Sequence, residues 1–170
     1  MTFTPSSPVI TATTPSPSFK LEAVVVCDKY SDFLRHTLPQ NKFLFDKLVV
    51  VTSHEDTATR KLCEFYHVQC VPTDALKSRH GVFCKGAGIN EGLRALDGDS
   101  WVLHYDGDIW LPPQTRLLIE QAGLAQDMIY GIDRFIVKGA TAWEQFLAQA
   151  QFSSAEIHES GMGFEVRLRK

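Results

Sequence analysis

Two carboxylates that could bind a metal ion, those of Asp106 and Asp108, follow the apolar segment 102–105 with a single glycine between them. That segment lacks the charge needed for exposure on both faces, so it predicts a central strand. Ligands of open α/β sheets bind beyond the carboxyl ends of such strands. Because two prolines then force the chain to turn, both carboxylates can converge on one hard divalent cation and on the phosphate oxygens that it bridges. The alternative is a solvated turn, since Asp and Gly are common turn formers.

The composition is that of one soluble globular domain. The chain has 170 residues, of which 44% are hydrophobic and 22% charged, and a formal net charge of −3. Lys and Arg are scattered along the sequence, so it shows no basic cluster of the kind that binds nucleic acid. No apolar run approaches the ~20 residues that span a bilayer, and the amino terminus lacks the pattern of a signal peptide. We therefore expect a cytoplasmic protein without a membrane span.

The cysteines indicate a reducing compartment and free thiols. They show no Cys-x-x-Cys pair and no density typical of a disulfide scaffold. Cys63, His67 and Cys70 could be arranged as metal ligands, with the first two one helical turn apart. The alternative is that the cysteines are buried, which is common for this residue type.

Apolar periodicity predicts alternating strands and helices after a tail. Residues 1–18 are rich in Pro, Ser and Thr and predict a mobile tail, which leaves one domain over residues 19–170. The predicted strands are 21–27, 47–52, 68–71, 101–105 and 128–132, and the predicted helices are 32–38, 56–66, 85–96, 115–124 and 140–151. A further strand or helix is predicted over 164–168. This alternation favours an α/β fold with a mostly parallel central sheet and helices on both faces.

Several of these predictions concern helix ends and apolar faces. Pro39 is expected to close the first helix. Phe65, Leu93 and Leu117 are expected to belong to the apolar faces of the next three helices.

Four short segments carry a resemblance to a known family. In chain order they are VCDKY at 26–30, TSHED at 52–56, FCKGAGINEGL at 83–93 and LHYDGDIWLPP at 103–113. Together they resemble the nucleotide-binding half of family-2-type glycosyltransferases with the GT-A fold, over about residues 21–135. The last segment is similar to the metal motif of that family, including the apolar residues and proline that follow it. TSHED departs from the acidic pair usual at its position.

The resemblance implies a nucleotide-diphosphate sugar as donor. The ends of the first two strands would lie beside its base and ribose, which makes candidates of four residues: Cys27, Asp28, Thr52 and Ser53. Lys85 would offer a cation to a phosphate or the ribose, and Asn90 both a donor and an acceptor. The alternatives are a solvated lysine at a helix start and a capping or surface asparagine.

The resemblance also implies Mn²⁺ or Mg²⁺. The second acid of the motif holds the ion in that family, so Asp108 would be the main ligand, with Asp106 as its partner and as a contact of the nucleotide. The ion would act as a Lewis acid that offsets charge on the departing nucleoside diphosphate. The implied activity is a metal-dependent, hexosyltransferase-like and inverting transfer of a sugar to an unidentified hydroxyl acceptor.

An inverting transfer needs a general base near the acceptor hydroxyl. Glu165 lies in GMGFEVRLR at 161–169, which is faintly similar to the family's glycine-rich, acid-containing segment. Its alternative is a solvated position on a terminal amphipathic strand. Asp133 could touch the donor sugar or pair with Arg134. His158 could be a late metal ligand or an ordinary loop histidine.

Two other functions remain open. Family members usually carry an acceptor-binding half that is shortened or missing here, so the chain could complete its site by forming a homo-oligomer, or could be a non-catalytic module that holds a sugar nucleotide. A nucleotidyltransferase is the other alternative, because related folds hold Mg²⁺ with aspartates near phosphates. Against it, residues 27–30 do not form a glycine-rich basic loop.

Overall fold

The computed structural model describes residues 19–77, 81–132, 136–150 and 168–169. The predicted tail 1–18 and residues 164–167 of the last predicted element lie outside these ranges. Where the chain is described, no helix has the length and apolar character needed to cross a membrane.

Four parallel strands form the central sheet. They are β1 (Leu21–Val26), β2 (Lys47–Thr52), β3 (Gln69–Pro72) and β4 (Trp101–Asp106), in the order β3-β2-β1-β4. The described helices are α1 (Ser31–Asn41), α2 (Thr57–Phe65), α3 (Lys85–Arg94), α4 (Thr115–Gln121) and α5 (Ala140–Ala150), with a 3₁₀ turn at Lys42–Leu44. Two residues each of β5 (Gly131–Ile132) and β6 (Leu168–Arg169) pair antiparallel.

Helices cover both faces of the sheet, as the sequence predicted. On one face, Leu34 and Leu38 of α1, Cys63 of α2 and Ile119 of α4 join a single core cluster with alternate residues of β1 and β2. The other alternate residues of those strands form a second cluster on the face that α3 covers. The prediction of an α/β fold with a parallel sheet is therefore confirmed.

Burial on both faces explains the composition of β1. All six residues of this strand are buried, because β2 and β4 flank it and helices lie above and below. Five of them are apolar, which is typical of interior parallel strands. The exception is Glu22, whose buried carboxylate accepts hydrogen bonds from the Asp97 N–H and the Ser100 hydroxyl. These bonds offset the cost of removing the carboxylate from water.

The predicted central position of β4 was wrong for the sheet that the described residues form. β4 is an edge strand that pairs only with β1 there. Tyr105 is buried, but Val102 is 41% exposed and His104 is also exposed. Trp101, Leu103 and Tyr105 of β4 belong to or pack against one core cluster. This burial on one face accounts for the apolar character of the strand, so no second neighbouring strand is needed to explain it.

The predicted apolar stripe of α3 is correct for Ile89 and Leu96, which pack against the second core cluster, and wrong for Leu93. Leu93 is 43% exposed, whereas Gly88 and Gly92 are buried against the sheet. A Cβ added at Gly92 would overlap a γ-methyl of Val24, and one added at Gly88 would overlap the end of Leu76. The two glycines therefore let the helix backbone approach the strands closely, which a pattern based on large apolar side chains does not register.

Other differences lie at element ends and on helix surfaces. α1 continues past Pro39 to Asn41, because a proline in the last turn removes only one backbone donor. Phe65 is 73% exposed and Leu117 is also exposed, since the sheet is already covered by neighbouring residues of α2 and α4. Of the predicted strand 128–132, only Gly131–Ile132 is extended and paired.

Candidate functional site

The strand order of the sheet reverses between β1 and β4. From β1 the chain proceeds to β2 and β3 on one side, and then crosses to β4 on the other. Ligands of open α/β sheets bind outside the carboxyl ends of the strands where the order reverses in this way. Val26 and Asp106, the last residues of β1 and β4, are paired in register. The acid pair therefore begins at the reversal point of the sheet.

A cavity of about 920 Å³ lies along β4 and at its carboxyl end, and both acids line it. Its walls come from α1, the edge of β4, the connection to α4 and the segment that leads into α5. Typical small-molecule sites measure roughly 300–1,000 Å³, so the cavity can accept a ligand of nucleotide size. Asp106, Asp108 and Lys85 therefore all line the same cavity.

Two polar side chains of α1 hold the loop that carries the second acid. The Thr37 hydroxyl donates to the Gly107 carbonyl at 2.6 Å. The Asn41 side-chain amide donates to the Ile109 carbonyl at 2.7 Å and accepts from the Leu111 N–H at 2.9 Å. These bonds join residues about seventy positions apart and fix the path of the chain directly after β4.

The sequence interpretation missed Thr37 and Asn41, although a signal exists. With Leu34 and Leu38 they occupy the spacing i, i+3, i+4 and i+7 on one helical face, and all four are buried. A polar side chain on an otherwise apolar stripe must find a partner inside the protein. That partner is the acid-bearing loop.

Replacing Asn41 with alanine is expected to destabilise the protein. The carbonyl of Ile109 and the N–H of Leu111 would lose their partner in a buried region, at a cost of about 2–4 kcal/mol. The matched control is Asn90→Ala on the exposed surface of α3, expected to change stability by less than about 0.5 kcal/mol. Urea unfolding of both variants measures the difference, and equal midpoints would show that the Asn41 bonds contribute nothing.

The two acids differ in their surroundings. Asp106 forms an ion pair with Lys85, the first residue of α3, and both side chains are about two-fifths exposed. Asp108 is exposed and makes no hydrogen bond or ion pair with any described residue. Water screens the pair between Lys85 and Asp106, so an anionic ligand can compete for the lysine. Among the described residues, none competes with a cation for the Asp108 carboxylate.

The four residues proposed for the base and ribose lie together, but beside the cavity and not on its lining. They are Cys27, Asp28, Thr52 and Ser53. Asp28 accepts bonds from the Ser53 hydroxyl at 2.5 Å and the Ser53 N–H at 3.3 Å, which tie the ends of β1 and β2. The side chains of Cys27, Thr52 and Ser53 are buried. Asp28 is the more accessible member of this group.

The Asp56 carboxylate links the ends of β1 and β2 through hydrogen bonds. It accepts bonds from the Lys29 N–H at 2.6 Å, the Thr59 N–H at 3.0 Å and the Thr52 hydroxyl at 3.1 Å. Burial raises the pKa of Asp56, but these hydrogen bonds outweigh that effect and leave its pKa below the ordinary value. Burial also raises the pKa of the Cys27 thiol to about 11, so that thiol is neutral at physiological pH. The Asp56 hydrogen bonds therefore stabilise the chain at the ends of β1 and β2.

The remaining candidates divide between the surface, the core and the undescribed part of the chain. Asn90 is exposed on α3 and does not line the cavity. Cys63 is buried in the core cluster, and Cys70 packs against it. Within the described ranges, no cluster of three or more His, Cys, Asp or Glu side chains could hold a metal. Asp133, His158 and Glu165 lie outside the described residues.

The same cavity is lined by aromatic rings that the sequence did not connect. Trp110 follows the acid pair, and Trp143 and Phe146 project from α5. The residues of α5 were identified as a helical face, but nothing in the local pattern shows that this face meets Trp110, two residues after Asp108.

No model of a known protein family matches the chain, and no curated protein matches its sequence.

Proposed function

We propose that this protein is a metal-dependent glycosyltransferase with the GT-A fold, which moves a sugar from a nucleotide-diphosphate donor to a hydroxyl acceptor. One observation carries the proposal: Asp106 and Asp108 line a single large cavity at the carboxyl end of β4, beside the point where the strand order of the sheet reverses. Ligands of parallel α/β sheets bind at this position. The similarity of LHYDGDIWLPP at 103–113 to the metal motif of family-2-type glycosyltransferases supports the same conclusion.

The donor atoms at the site fit Mn²⁺ or Mg²⁺. Such ions prefer oxygen ligands and are commonly held by one or two carboxylates together with water and substrate phosphates. Asp108 would be the main ligand and Asp106 its partner, and among the described residues no third His, Cys, Asp or Glu side chain groups with them. When bound, the ion would supply Lewis-acid stabilisation of charge on the diphosphate. Lys85 would contribute a second positive charge beside the phosphates.

The transfer requires a proton acceptor at the acceptor hydroxyl. The hydroxyl oxygen bonds to the anomeric carbon of the donor sugar, the bond from that carbon to the diphosphate oxygen breaks, and its electron pair leaves with the nucleoside diphosphate. The hydroxyl proton passes to a base. Glu165 is the base that the family resemblance suggests, and Asp133 could touch the donor sugar.

His104 is a further candidate base, and it lies within the described part of the chain. It is among the residues that line the cavity, and its Nδ1 lies 3.0 Å from the carbonyl oxygen of Val24. A carbonyl only accepts hydrogen bonds, so in the neutral ring the proton sits on Nδ1 and Nε2 can accept another.

Calorimetric titration with UDP, GDP, CDP and TDP, each with and without Mn²⁺, tests the proposal. We expect saturable binding of at least one nucleoside diphosphate that strengthens at least about tenfold with Mn²⁺, since the ion bridges the protein carboxylates and the diphosphate. No binding with Mn²⁺ would contradict the proposal. Tighter binding of a nucleoside triphosphate would favour nucleotidyl transfer instead. Binding without hydrolysis or transfer of any donor sugar would favour the non-catalytic module.

A further inference from the structure

The Lys85 ammonium pairs with one of the two carboxylates that would hold a cation. It donates a hydrogen bond to Oδ1 of Asp106, and both side chains line the cavity together with Asp108. Among the described residues, no other cationic side chain pairs with either acid. A cation held by the two acids would therefore lie next to a lysine that already carries a positive charge.

The backbone position of Lys85 is fixed by the packing of α3 on the sheet. Lys85 is the first residue of this helix, and the buried Gly88 and Gly92 let the helix lie directly against β1 and β2. The first turn of α3 therefore cannot move away from the end of β4 without loss of these contacts. The side chain itself stays flexible, since a four-carbon stem joins its ammonium to the backbone.

Exposure to water allows Asp106 to change partners. The side chains of Lys85 and Asp106 are 40% and 41% exposed, so water screens their attraction and the pair contributes little to stability. Separation of the two side chains would leave neither charge buried. The lysine can therefore leave Asp106 for another anion, and Asp106 can take a cation in its place.

The charges that line the cavity favour an anion once a divalent cation is present. The lining carries three acids, Asp32, Asp106 and Asp108, and two bases, Arg35 and Lys85. With its histidines neutral, the cavity has one excess negative charge, and a divalent cation would leave one excess positive charge. Clefts with an excess of one sign attract ligands of the opposite sign. A diphosphate is such a ligand, and its oxygens can accept hydrogen bonds from the Lys85 ammonium.

We propose that Lys85 couples the two ligands of the site: its ammonium opposes a divalent cation that binds alone and favours one that binds together with a diphosphate. A cation that binds by itself repels the ammonium and takes its carboxylate partner. When a diphosphate is present, the lysine moves from Asp106 to a phosphate oxygen and no longer opposes the cation. Such coupling is reciprocal, so each ligand raises the affinity of the other by the same factor. The cation site rests on the proposed function, whereas the role of Lys85 can fail while that function stands.

Binding of Mn²⁺ alone, followed by electron paramagnetic resonance, is the first test. Lys85→Met keeps most of the length of the side chain and removes its charge. We expect this variant to bind Mn²⁺ at least about fivefold more tightly than the wild type, because the cation no longer meets the ammonium. The matched control is Lys20→Met, since Lys20 is 41% exposed and pairs with Asp99 at 3.1 Å but does not line the cavity. Addition of Asp108→Asn to Lys85→Met should abolish the gain, which would place the extra affinity at the acid pair.

Calorimetry of the same variants with the Mn²⁺ complex of inorganic pyrophosphate is the second test. Pyrophosphate supplies the phosphate chemistry without a base or a sugar. We expect Lys85→Met to bind this complex about tenfold more weakly than the wild type, because a phosphate oxygen loses its ammonium partner. Opposite changes for the ion and for its complex indicate coupling, since a distorted site would weaken both. Urea unfolding should give the wild-type midpoint for both lysine variants, because ion pairs this exposed contribute little to stability.

Unchanged or weaker binding of Mn²⁺ alone by Lys85→Met would overturn the proposal. Equal or tighter binding of the Mn²⁺ complex of pyrophosphate by that variant would also overturn it. Either result, found together with Mn²⁺-dependent binding of a nucleoside diphosphate by the wild type, would leave the proposed function standing. Both expected changes without any binding of a nucleoside diphosphate would support the coupling by Lys85 and contradict the proposed function.

Discussion

Asp108→Asn is expected to weaken Mn²⁺-dependent binding of a nucleoside diphosphate at least about 100-fold, a loss of about 2.7 kcal/mol. The amide keeps the size of the carboxylate but loses the charge that a hard cation requires. Asp108 is exposed and has no hydrogen-bond or ion-pair partner among the described residues, so the fold does not depend on its charge. The free energy of unfolding should change by less than about 0.5 kcal/mol.

The measurement is calorimetry of the variant and the wild type with and without Mn²⁺, with urea unfolding to confirm the fold. Asp127→Asn is the matched control, because it removes an exposed acid that does not line the cavity. Without Mn²⁺ the Asp108 variant and the wild type should bind the diphosphate with similar, weak affinity. An unchanged affinity with Mn²⁺ in the Asp108 variant would rule out this residue as the main ligand.

Gly92→Ala is expected to destabilise the protein by about 2–3 kcal/mol, the cost of overpacking a well-packed core. The new methyl would overlap a γ-methyl of Val24 and lie 3.0 Å from Cγ2 of Val51. Both valines are fully buried strand residues with short, branched side chains. They have little freedom to turn away, so α3 itself must shift.

Gly86→Ala in the first turn of the same helix is the matched control. Nothing lies within 4 Å of a Cβ at that position. The higher helix propensity of alanine should therefore stabilise the protein by up to about 1 kcal/mol. Urea unfolding of the two variants should show opposite signs. Destabilisation by Gly86→Ala as large as that of Gly92→Ala would show that close packing of Gly92 on the sheet is not the cause.

The Gly92 variant also reports on the site, because α3 begins at Lys85. A shift of the helix away from the sheet would move the Lys85 ammonium relative to Asp106. We therefore expect weaker diphosphate binding in Gly92→Ala under conditions where the variant is still folded. Binding equal to that of the wild type would indicate that the start of α3 stays in place.

Much of the fold could be predicted from the sequence because it depends on local patterns. Runs such as Val24-Val25-Val26 and Leu48-Val49-Val50-Val51 suit strands buried on both faces, and both form the centre of the sheet. The start of α2 follows from Asp56, which caps it as a short polar side chain does at many helix starts. Asp106 and Asp108 could be placed at a strand end because they follow the strand directly along the chain.

The tertiary structure alone decided which distant segments meet. Whether β4 lies at the centre or the edge of the sheet depends on strands far away in sequence, so its apolar run could not distinguish the two. Gly92 looks neutral in a hydrophobic pattern, yet its missing side chain sets how closely α3 packs. The bonds from Thr37 and Asn41 to the acid-bearing loop, and the contact of Trp110 with Phe146, join segments far apart in the chain. A residue's type indicates whether it tends to be buried, but only the folded chain determines which residue buries it.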